Sequence, residues 1–398
     1  MGLNINIDNH YISKIYTNGS SVSGSVLLCP EIDIPFHWLQ ITLVGTSHTR
    51  IDMLPVPKVI DNDFLRLDMP IDEKVYPADR VFKAGTTYNA PFEFTIPQTL
   101  LKDPCDDVLE SGHIHDLHMR LPPTMGGWEK DDMSPVMASV EYVVLARVLQ
   151  KHTSNLSQAT EASRAIKVIP AFPEDPPLRI TNLDTRYALR KSKSIRKKVL
   201  SMEKYSLDVT ASQPRALHLG TTGHQLEEVP ASAVIDFSFV SDSPFTTPPE
   251  VKVAQLKLEA LTWFSAVSMK TLPELGEARN SGCIKHELKY VTSIKLPATD
   301  VGQITWTRED SVQGQGSTVW RAAATVPLQL PTTQKMFLPT FYSCYLARTY
   351  VLHLQTSVSG TKVCLSVPLQ ISTEASGHET SEPVGEELPT FDAALAWR

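Results

Sequence analysis

The sequence predicts an all-β protein. Apolar and polar residues alternate along much of the chain, as where Phe92, Phe94 and Ile96 are separated by Glu93 and Thr95. Such a period of two is typical of strands with one buried face. Proline is frequent, at 29 of 398 residues, whereas glycine is scarce at 18. This composition favours short strands joined by ordered loops over long helices.

The alternation also predicts a strand pair late in the chain, with Ser359 and Gly360 in the turn. In the second strand of that pair, Val363, Leu365 and Val367 share one face. Residues 253–264 also fit a short helix, but the aromatic pair at 263–264 favours a strand. The strands of the late pair cover 350–358 and 362–371. The other predicted strands cover 22–28, 38–44, 92–96, 140–148, 206–212, 233–240, 284–296 and 322–329.

Length and charge narrow the classes of function. At about 100–200 residues per domain, the chain holds two or three domains. Its net charge of -7 gives no reason to expect nucleic acid as a partner. There is neither a basic segment before an apolar run at the N-terminus nor an apolar stretch of about 18 residues, so a cytoplasmic protein is expected.

Cysteine spacing predicts no familiar site. The chain has an odd number of cysteines and no Cys-x-x-Cys pair. This spacing suggests neither a disulfide framework nor a zinc finger. The cysteines are Cys29, Cys105, Cys283, Cys344 and Cys364.

Two β-sandwiches in series fit the predicted strands better than one very large sandwich. The proline-rich segment 170–177 opens a connector that we place at 170–205. The two sandwich units are then expected at 1–169 and 206–371. Residues 372–398 are acidic and have few strand-forming residues, which predicts a disordered tail.

The connector contains the most polarised segment of the chain. Eight basic residues lie from Arg186 to Lys204, and Glu203 is the one acidic residue among them. A solvated charge run explains this pattern, and so does a docking surface for phosphate or anionic lipid. The candidate binding residues are Arg190, Lys191, Lys193, Arg196, Lys197 and Lys198.

A series of short sequence blocks follows a set order along the two halves of the chain. They include Phe82-Lys-Ala-Gly85, Pro91-Phe-Glu-Phe94, His118-Met-Arg-Leu-Pro-Pro-Thr124, Thr262-Trp-Phe-Ser265 and Thr340-Phe-Tyr-Ser-Cys344. Together, over about residues 10–371, the blocks resemble those of arrestin-like proteins, in particular the α-arrestins of filamentous fungi. The resemblance implies two arrestin-type antiparallel β-sandwiches in tandem.

The same resemblance implies a cytoplasmic adaptor or scaffold in protein trafficking or signalling, with no cofactor. Such proteins hold a membrane cargo protein and recruit a ubiquitin ligase, which promotes endocytosis; a phosphorylated tail or anionic lipid is a further expected partner. The ligase normally binds Pro-Pro-x-Tyr motifs in an extended conformation. In this chain no Pro-Pro pair is followed by such a tyrosine: the pairs precede Thr124-Met125, Leu178-Arg179 and Glu250-Val251.

One segment favours a different class of function. Residues 103–118 hold four aspartates, one glutamate and three histidines. Asp106, Asp107 and Glu110 have the spacing of an aspartate-rich motif that binds Mg²⁺ and a prenyl diphosphate, because hard cations prefer carboxylate oxygens. The alternative function is therefore a noncanonical, terpene-type cyclase of a fungal natural-product pathway, acting on a prenyl diphosphate or another hydrophobic small molecule. Asp116 is a further catalytic candidate in this hypothesis.

The histidines of the same segment allow a second kind of site. On a strand, His113 and His115 would share one face and lie about 7 Å apart. With a carboxylate nearby, they could bind a transition metal or transfer protons. A polar loop with no chemistry accounts for the segment more simply.

The remaining motifs predict structure. Asp131 and Asp132 follow Gly126-Gly127-Trp128 and indicate a turn, or additional ligands for the acidic segment. Catalytic signatures such as G-x-S-x-G, the Walker loop and H-E-x-x-H are absent from the sequence. We expect six aromatic residues of the second half in the core: Trp263, Phe264, Trp306, Trp320, Phe337 and Phe341.

Overall fold

The computed structural model describes residues 2–52, 56–105, 109, 111–152, 155–196, 204–226, 231–241, 246–276, 287–297, 301, 303–309, 318–358 and 360–374. Among these residues no helix has the length and apolar character needed to cross a membrane.

Two sheets form the first half of the chain. Its strands are β1 (Gly2–Ile7), β2 (Ile15–Tyr16), β3 (Ser21–Cys29), β4 (Ile34–Pro35), β5 (Trp38–Ile51), β6 (Lys58–Asp68), β7 (Val81–Phe82), β8 (Tyr88–Thr95), β9 (Ala138–His152) and β10 (Asn155–Val168). The order β1-β3-β8 makes a three-stranded sheet, and β2-β10-β9-β5-β6 makes a five-stranded sheet. Strands β4 and β7 form a separate short pair.

Two larger sheets form the second half. Its strands are β11 (Arg190–Arg196), β12 (Lys204–Ala211), β13 (Leu217–Leu219), β14 (Ser232–Ser241), β15 (Val251–Ser265), β16 (Glu287–Lys295), β17 (Thr307–Glu309), β18 (Thr318–Pro327), β19 (Phe341–Tyr342), β20 (Leu346–Val358), β21 (Thr361–Leu369) and β22 (Ile371–Thr373). One sheet has the order β11-β12-β14-β18-β17; the other has the order β16-β15-β20-β19, with β21 also paired to β20. Strands β13 and β22 pair in parallel.

Each half encloses its own apolar core. In the first half, alternate residues of β3 and β9, such as Val26 and Val144, are buried between the sheets. In the second half, Phe237 of β14 and Leu354 of β20 belong to one cluster. Apolar faces of paired sheets pack together because removing them from water is the main favourable contribution to folding. The observed architecture is thus all-β and built from packed sheets, as the alternation predicts.

Most predicted strands are observed. Residues 253–264 lie within β15, so the strand interpretation is confirmed over the helical one. The predicted pair around Gly360 is the β20–β21 hairpin, with Val358 opposite Thr361. Val363, Leu365 and Val367 are all buried on one face of β21.

The histidine segment differs from the sequence-based expectation. Residues Gly112–His118 form a short helix, α1, which follows the N-cap residue Ser111. Its buried residues Ile114, Leu117 and His118 follow the helical spacing of three and four, which places one face against the protein. The strand interpretation of His113 and His115 is therefore wrong: two residues apart on a helix, they point in different directions.

The described part of the segment 170–205 includes secondary structure. It contains β11, which pairs along its length with β12, and Phe172 forms an isolated bridge with Thr373. Strand β22 extends to Thr373, two residues into the expected tail, and residues 375–398 lie outside the described part of the chain.

The aromatic residues expected in the core are found there. Trp263, Phe264, Phe337 and Phe341 are buried, whereas Trp306 and Trp320 are partly buried against the second core.

Candidate functional site

The two halves meet over an apolar contact. Phe264, Met336, Leu338, Phe341 and Leu346 come from the second half of the chain, yet they pack in the core cluster of the first half. A third cluster at the same junction joins helix α1 to strands β15, β19 and β20. The apolar contacts at this junction therefore shield polar groups there from solvent.

Helix α1 determines the arrangement of side chains at the junction. The Ser111 hydroxyl accepts a hydrogen bond from the Ile114 backbone N–H, 3.4 Å away, and caps the first turn. Leu117 packs in the third cluster beside Trp263 and Tyr342. The helix thus lies between two groups of chemically active side chains. One group is the acidic residues of a cleft, and the other is a cluster of two thiols and an imidazole.

The cleft lies between α1, the extended segment 174–178 and strands β19, β20 and β21. Its volume, including the part that is open to solvent, is about 630 Å³, of which about 60 Å³ can hold the centre of a water molecule. The lining is largely apolar and includes Leu117, Pro176, Pro177, Leu178, Tyr187, Pro214, Leu272, Pro368 and Leu369. Such a mixture of apolar walls and few polar groups is common in small-molecule sites.

Glu274 is the principal polar group of the cleft. Its side chain is buried, and its Oε1 accepts a short hydrogen bond from the Tyr342 hydroxyl. Its other oxygen, Oε2, has no hydrogen-bond partner among the described residues. Two residues after Glu274, the Gly276 backbone N–H donates a hydrogen bond to Asp184 Oδ1, 2.6 Å away. This bond fixes the turn that holds Glu274.

The surroundings of Glu274 favour its protonated form. Burial raises the pKa of the carboxyl from 4.5 to about 7, and the hydrogen bond from Tyr342 and the charge of Arg186 offset only part of this effect. Burial also raises the pKa of the Tyr342 hydroxyl, which therefore stays a hydrogen-bond donor. A carboxyl with a pKa near 7 can both give and take a proton at neutral pH.

Two other acids of the cleft are already engaged. Asp175 receives two hydrogen bonds from the guanidinium of Arg120, at 2.7 and 2.8 Å. Glu174 accepts the Ala216 backbone N–H at 2.8 Å. Among the described residues that line the cleft there is no lysine or arginine.

The second group consists of Cys105, His118 and Cys344. Their sulfur and nitrogen atoms all lie within 4.8 Å of one another, on the side of α1 that faces the junction. Burial lowers the pKa of His118 to about 4, and nearby His115 adds to this effect. Burial and the neighbouring Cys105 raise the pKa of the Cys344 thiol.

The acidic residues predicted from the sequence do not form this site in the described structure. Asp106, Asp107 and Glu110 lie outside the described residues. The Asp116 side chain is 79% exposed on α1, near His115, and does not line the cleft. Asp103 accepts the Cys105 backbone N–H at 2.9 Å and contacts His115.

Four of the six predicted basic residues, Arg190, Lys191, Lys193 and Arg196, lie on the edge strand β11. Arg190 pairs with Asp208 at 3.1 Å, and Lys193 Nζ donates to the Lys362 carbonyl at 2.8 Å. Lys191 is exposed. Only the backbone of Arg196 is described, and Lys197 and Lys198 lie outside the described residues.

Asp131 and Asp132 form a turn. Asp131 accepts the Met133 N–H, and Asp132 accepts the N–H groups of Gly126 and Ser134. These bonds confirm the turn interpretation of the pair.

Sequence reasoning missed Glu274, Tyr342 and the role of Cys344. Tyr342 and Cys344 belong to a block that resembles the arrestin-like pattern, but nothing in their spacing indicates chemistry. No protein-family model matches this chain, and no curated protein matches it either.

Proposed function

We propose that the protein is a tandem of two arrestin-type β-sandwiches whose junction binds a hydrophobic small molecule and transfers protons to it. The two separate cores, each between packed sheets, support the fold assignment. The observation that carries the function is the buried Glu274, with a pKa of about 7 and one unpartnered oxygen at an apolar cleft. A fold alone does not define an activity, so the argument depends on this group.

The charged side chains that line the cleft indicate which class of substrate it can bind. Glu174, Asp175 and Glu274 line it, and none of the described lining residues is a lysine or arginine. Arg120 is already paired with Asp175, so a diphosphate would find no lysine or arginine of the lining to bind it. An uncharged prenyl or polyketide molecule fits better than the prenyl diphosphate suggested by the acidic segment.

The chemistry follows from the protonation state of Glu274. The carboxylic acid donates its proton to an alkene or epoxide of the bound molecule, and the resulting cation closes a ring. Loss of a proton from the cyclised cation to the Glu274 carboxylate restores the acid, so the reaction is an isomerisation and needs no cofactor. The Tyr342 hydroxyl orients the carboxyl through its hydrogen bond.

The test follows proton exchange with solvent. The full chain is incubated in deuterated water with uncharged polyprenyl alkenes and epoxides, and deuterium in the recovered molecules is measured by mass spectrometry. We expect deuterium incorporation with wild type and with Asp116→Asn, and none with Glu274→Gln. Equal incorporation by Glu274→Gln, or none by any folded form, would contradict the proposal.

The second candidate function is the adaptor or scaffold that the family resemblance implies. Lys191 and Lys193 on the edge strand β11 favour it, because an edge strand can pair with an extended partner segment and lysines attract phosphate. The engaged side chains of Arg190 and Lys193 leave fewer cations for such a partner than the sequence suggests. Lysines on an edge strand also prevent edge-to-edge aggregation, and this role explains them without a binding partner.

Charge reversal tests the adaptor hypothesis. Binding to a phosphorylated peptide or to anionic vesicles should be lost in Lys191→Glu/Lys193→Glu and should weaken as salt is raised. Lys74→Glu/Lys102→Glu, which reverses two exposed lysines of the first half, is the matched control. Equal binding by both double variants would remove the support for this function.

A further inference from the structure

The cluster of Cys105, His118 and Cys344 is assembled from two distant parts of the chain, the segment 103–118 and the turn at Cys344. Cys105 lies in the loop after β8, His118 ends helix α1, and Cys344 lies in the turn between β19 and β20. The first two belong to the first half and the third to the second half. Cys105 and His118 are close in sequence, whereas Cys344 joins them only because the two halves pack together.

The cluster has the dimensions of a metal site. The His118 Nδ1 lies 3.4 Å from the Cys105 sulfur and 3.6 Å from the Cys344 sulfur, and the two sulfurs are 3.6 Å apart. Zinc bonds of about 2.3 Å to sulfur and about 2.0–2.1 Å to nitrogen, at tetrahedral angles, place two sulfurs about 3.8 Å apart and sulfur and nitrogen about 3.5 Å apart. The three atoms therefore occupy three corners of the expected tetrahedron.

A disulfide does not account for this arrangement. A bonded pair of sulfurs would be about 2.05 Å apart, well short of the observed 3.6 Å. While it is protonated, the Cys344 thiol donates a hydrogen bond to the Pro104 carbonyl oxygen, 3.1 Å away. In addition, the Asp103 carboxylate accepts a hydrogen bond from the Cys105 backbone N–H, which fixes the loop that contains Cys105.

We infer that Cys105, His118 and Cys344 bind zinc, or another divalent cation that prefers thiolate and imidazole ligands, and thereby join the two halves of the protein. Such a cation lowers the pKa of its cysteine ligands, so binding releases their protons. Three protein ligands leave the fourth tetrahedral position for a water molecule. Because both halves supply ligands, loading stabilises their association, independently of what the cleft binds.

Metal content and cobalt absorption test the inference directly. The full chain, purified under reducing conditions and treated with a chelator, is titrated with Zn²⁺ and with Co²⁺, whose thiolate complexes absorb visible light. We expect one equivalent of metal in wild type and affinity at least about tenfold lower in Cys344→Ser and His118→Gln. Cys29→Ser and Cys364→Ser, which change exposed cysteines outside the cluster, are the matched controls and should bind as wild type does.

A second measurement uses the wild-type chain, so it does not depend on how well the variants fold. Zinc should protect the partly exposed Cys105 from alkylation while leaving the exposed Cys29 and Cys364 reactive, as peptide mass spectrometry would show. Two results overturn the inference: absence of cobalt–thiolate absorption in reduced, folded protein, or equal alkylation of Cys105 with and without zinc. Isolation of a Cys105–Cys344 disulfide that added zinc cannot prevent would overturn it as well.

Discussion

The Arg348 guanidinium donates a hydrogen bond from Nη1 to the backbone carbonyl of Asp132, 2.9 Å away. A second bond, from Nη2 to the Ser134 hydroxyl, is 2.8 Å long. Arg348 lies on β20 in the second half and is fully buried, whereas Asp132 and Ser134 lie in a turn of the first half. A buried cation thus joins the two halves at the junction that also contains the cleft.

Removal of this cation should weaken the protein. Arg348→Met keeps much of the side-chain volume but loses both hydrogen bonds, and we expect the free energy of unfolding to fall by about 2–3 kcal/mol. Urea unfolding followed by tryptophan fluorescence measures the change. Arg321→Met, which breaks an exposed pair with Glu309, is the control and should cost much less stability. Equal stability of the two variants would show that the Arg348 contact contributes little.

Stability should depend on pH through Glu274. Its pKa is 4.5 in an ordinary setting and about 7 in the folded protein. Between these values the folded chain binds more protons at Glu274 than the unfolded chain does, so the stabilising contribution of Glu274 is complete below about pH 4.5 and is lost as the pH rises toward 7. The full effect is on the order of 3 kcal/mol.

Denaturant unfolding of wild type and Glu274→Gln across this pH range provides the measurement. The glutamine variant should lose the decline in stability that Glu274 causes. Glu250→Gln, an exposed glutamate outside the cleft, should keep the decline. A decline of the same size in Glu274→Gln would mean that another group is responsible.

The close approach of strands β1 and β3 should make Gly24 difficult to replace. A Cβ at this position would lie 2.1 Å from the Asn6 carbonyl oxygen and 2.8 Å from the Phe92 ring. We expect Gly24→Ala to lower the free energy of unfolding by about 1–3 kcal/mol. Gly112→Ala meets no atom within 4 Å at the start of α1 and should instead stabilise by up to about 1 kcal/mol. Thermal unfolding at the same temperature for both variants would contradict this account.

The strands could be predicted from the sequence because their signal is local. In β21, for example, Val363, Leu365 and Val367 alternate with polar neighbours, and this pattern needs no knowledge of the partner sheet. Helix α1 was missed because its apolar face consists of only two apolar residues, Ile114 and Leu117, within seven positions. Four histidine and aspartate residues obscure the helical period.

The candidate site could not be predicted because its parts are distant in sequence. Cys344 reaches His118 across 226 positions, and Tyr342 reaches Glu274 across 68 positions. Their chemistry arises from burial at the junction, which raises the pKa of Glu274 and places thiols beside an imidazole. By contrast, the acidic segment stood out in the sequence through composition alone, and its exposed Asp116 does not line the cleft.

The central claim, that the junction cleft holds a hydrophobic small molecule, is tested most directly by gentle affinity purification from a fungal host. Mass spectrometry would identify both the extracted small molecules and the co-purifying proteins. We expect an uncharged isoprenoid or polyketide with wild type and with Leu101→Trp, which changes an exposed leucine, but not with Leu178→Trp, which fills the cleft. Recovery of no small molecule from wild type, together with a ubiquitin ligase or membrane transporter that is lost in Lys191→Glu/Lys193→Glu, would contradict the claim and establish the adaptor function instead.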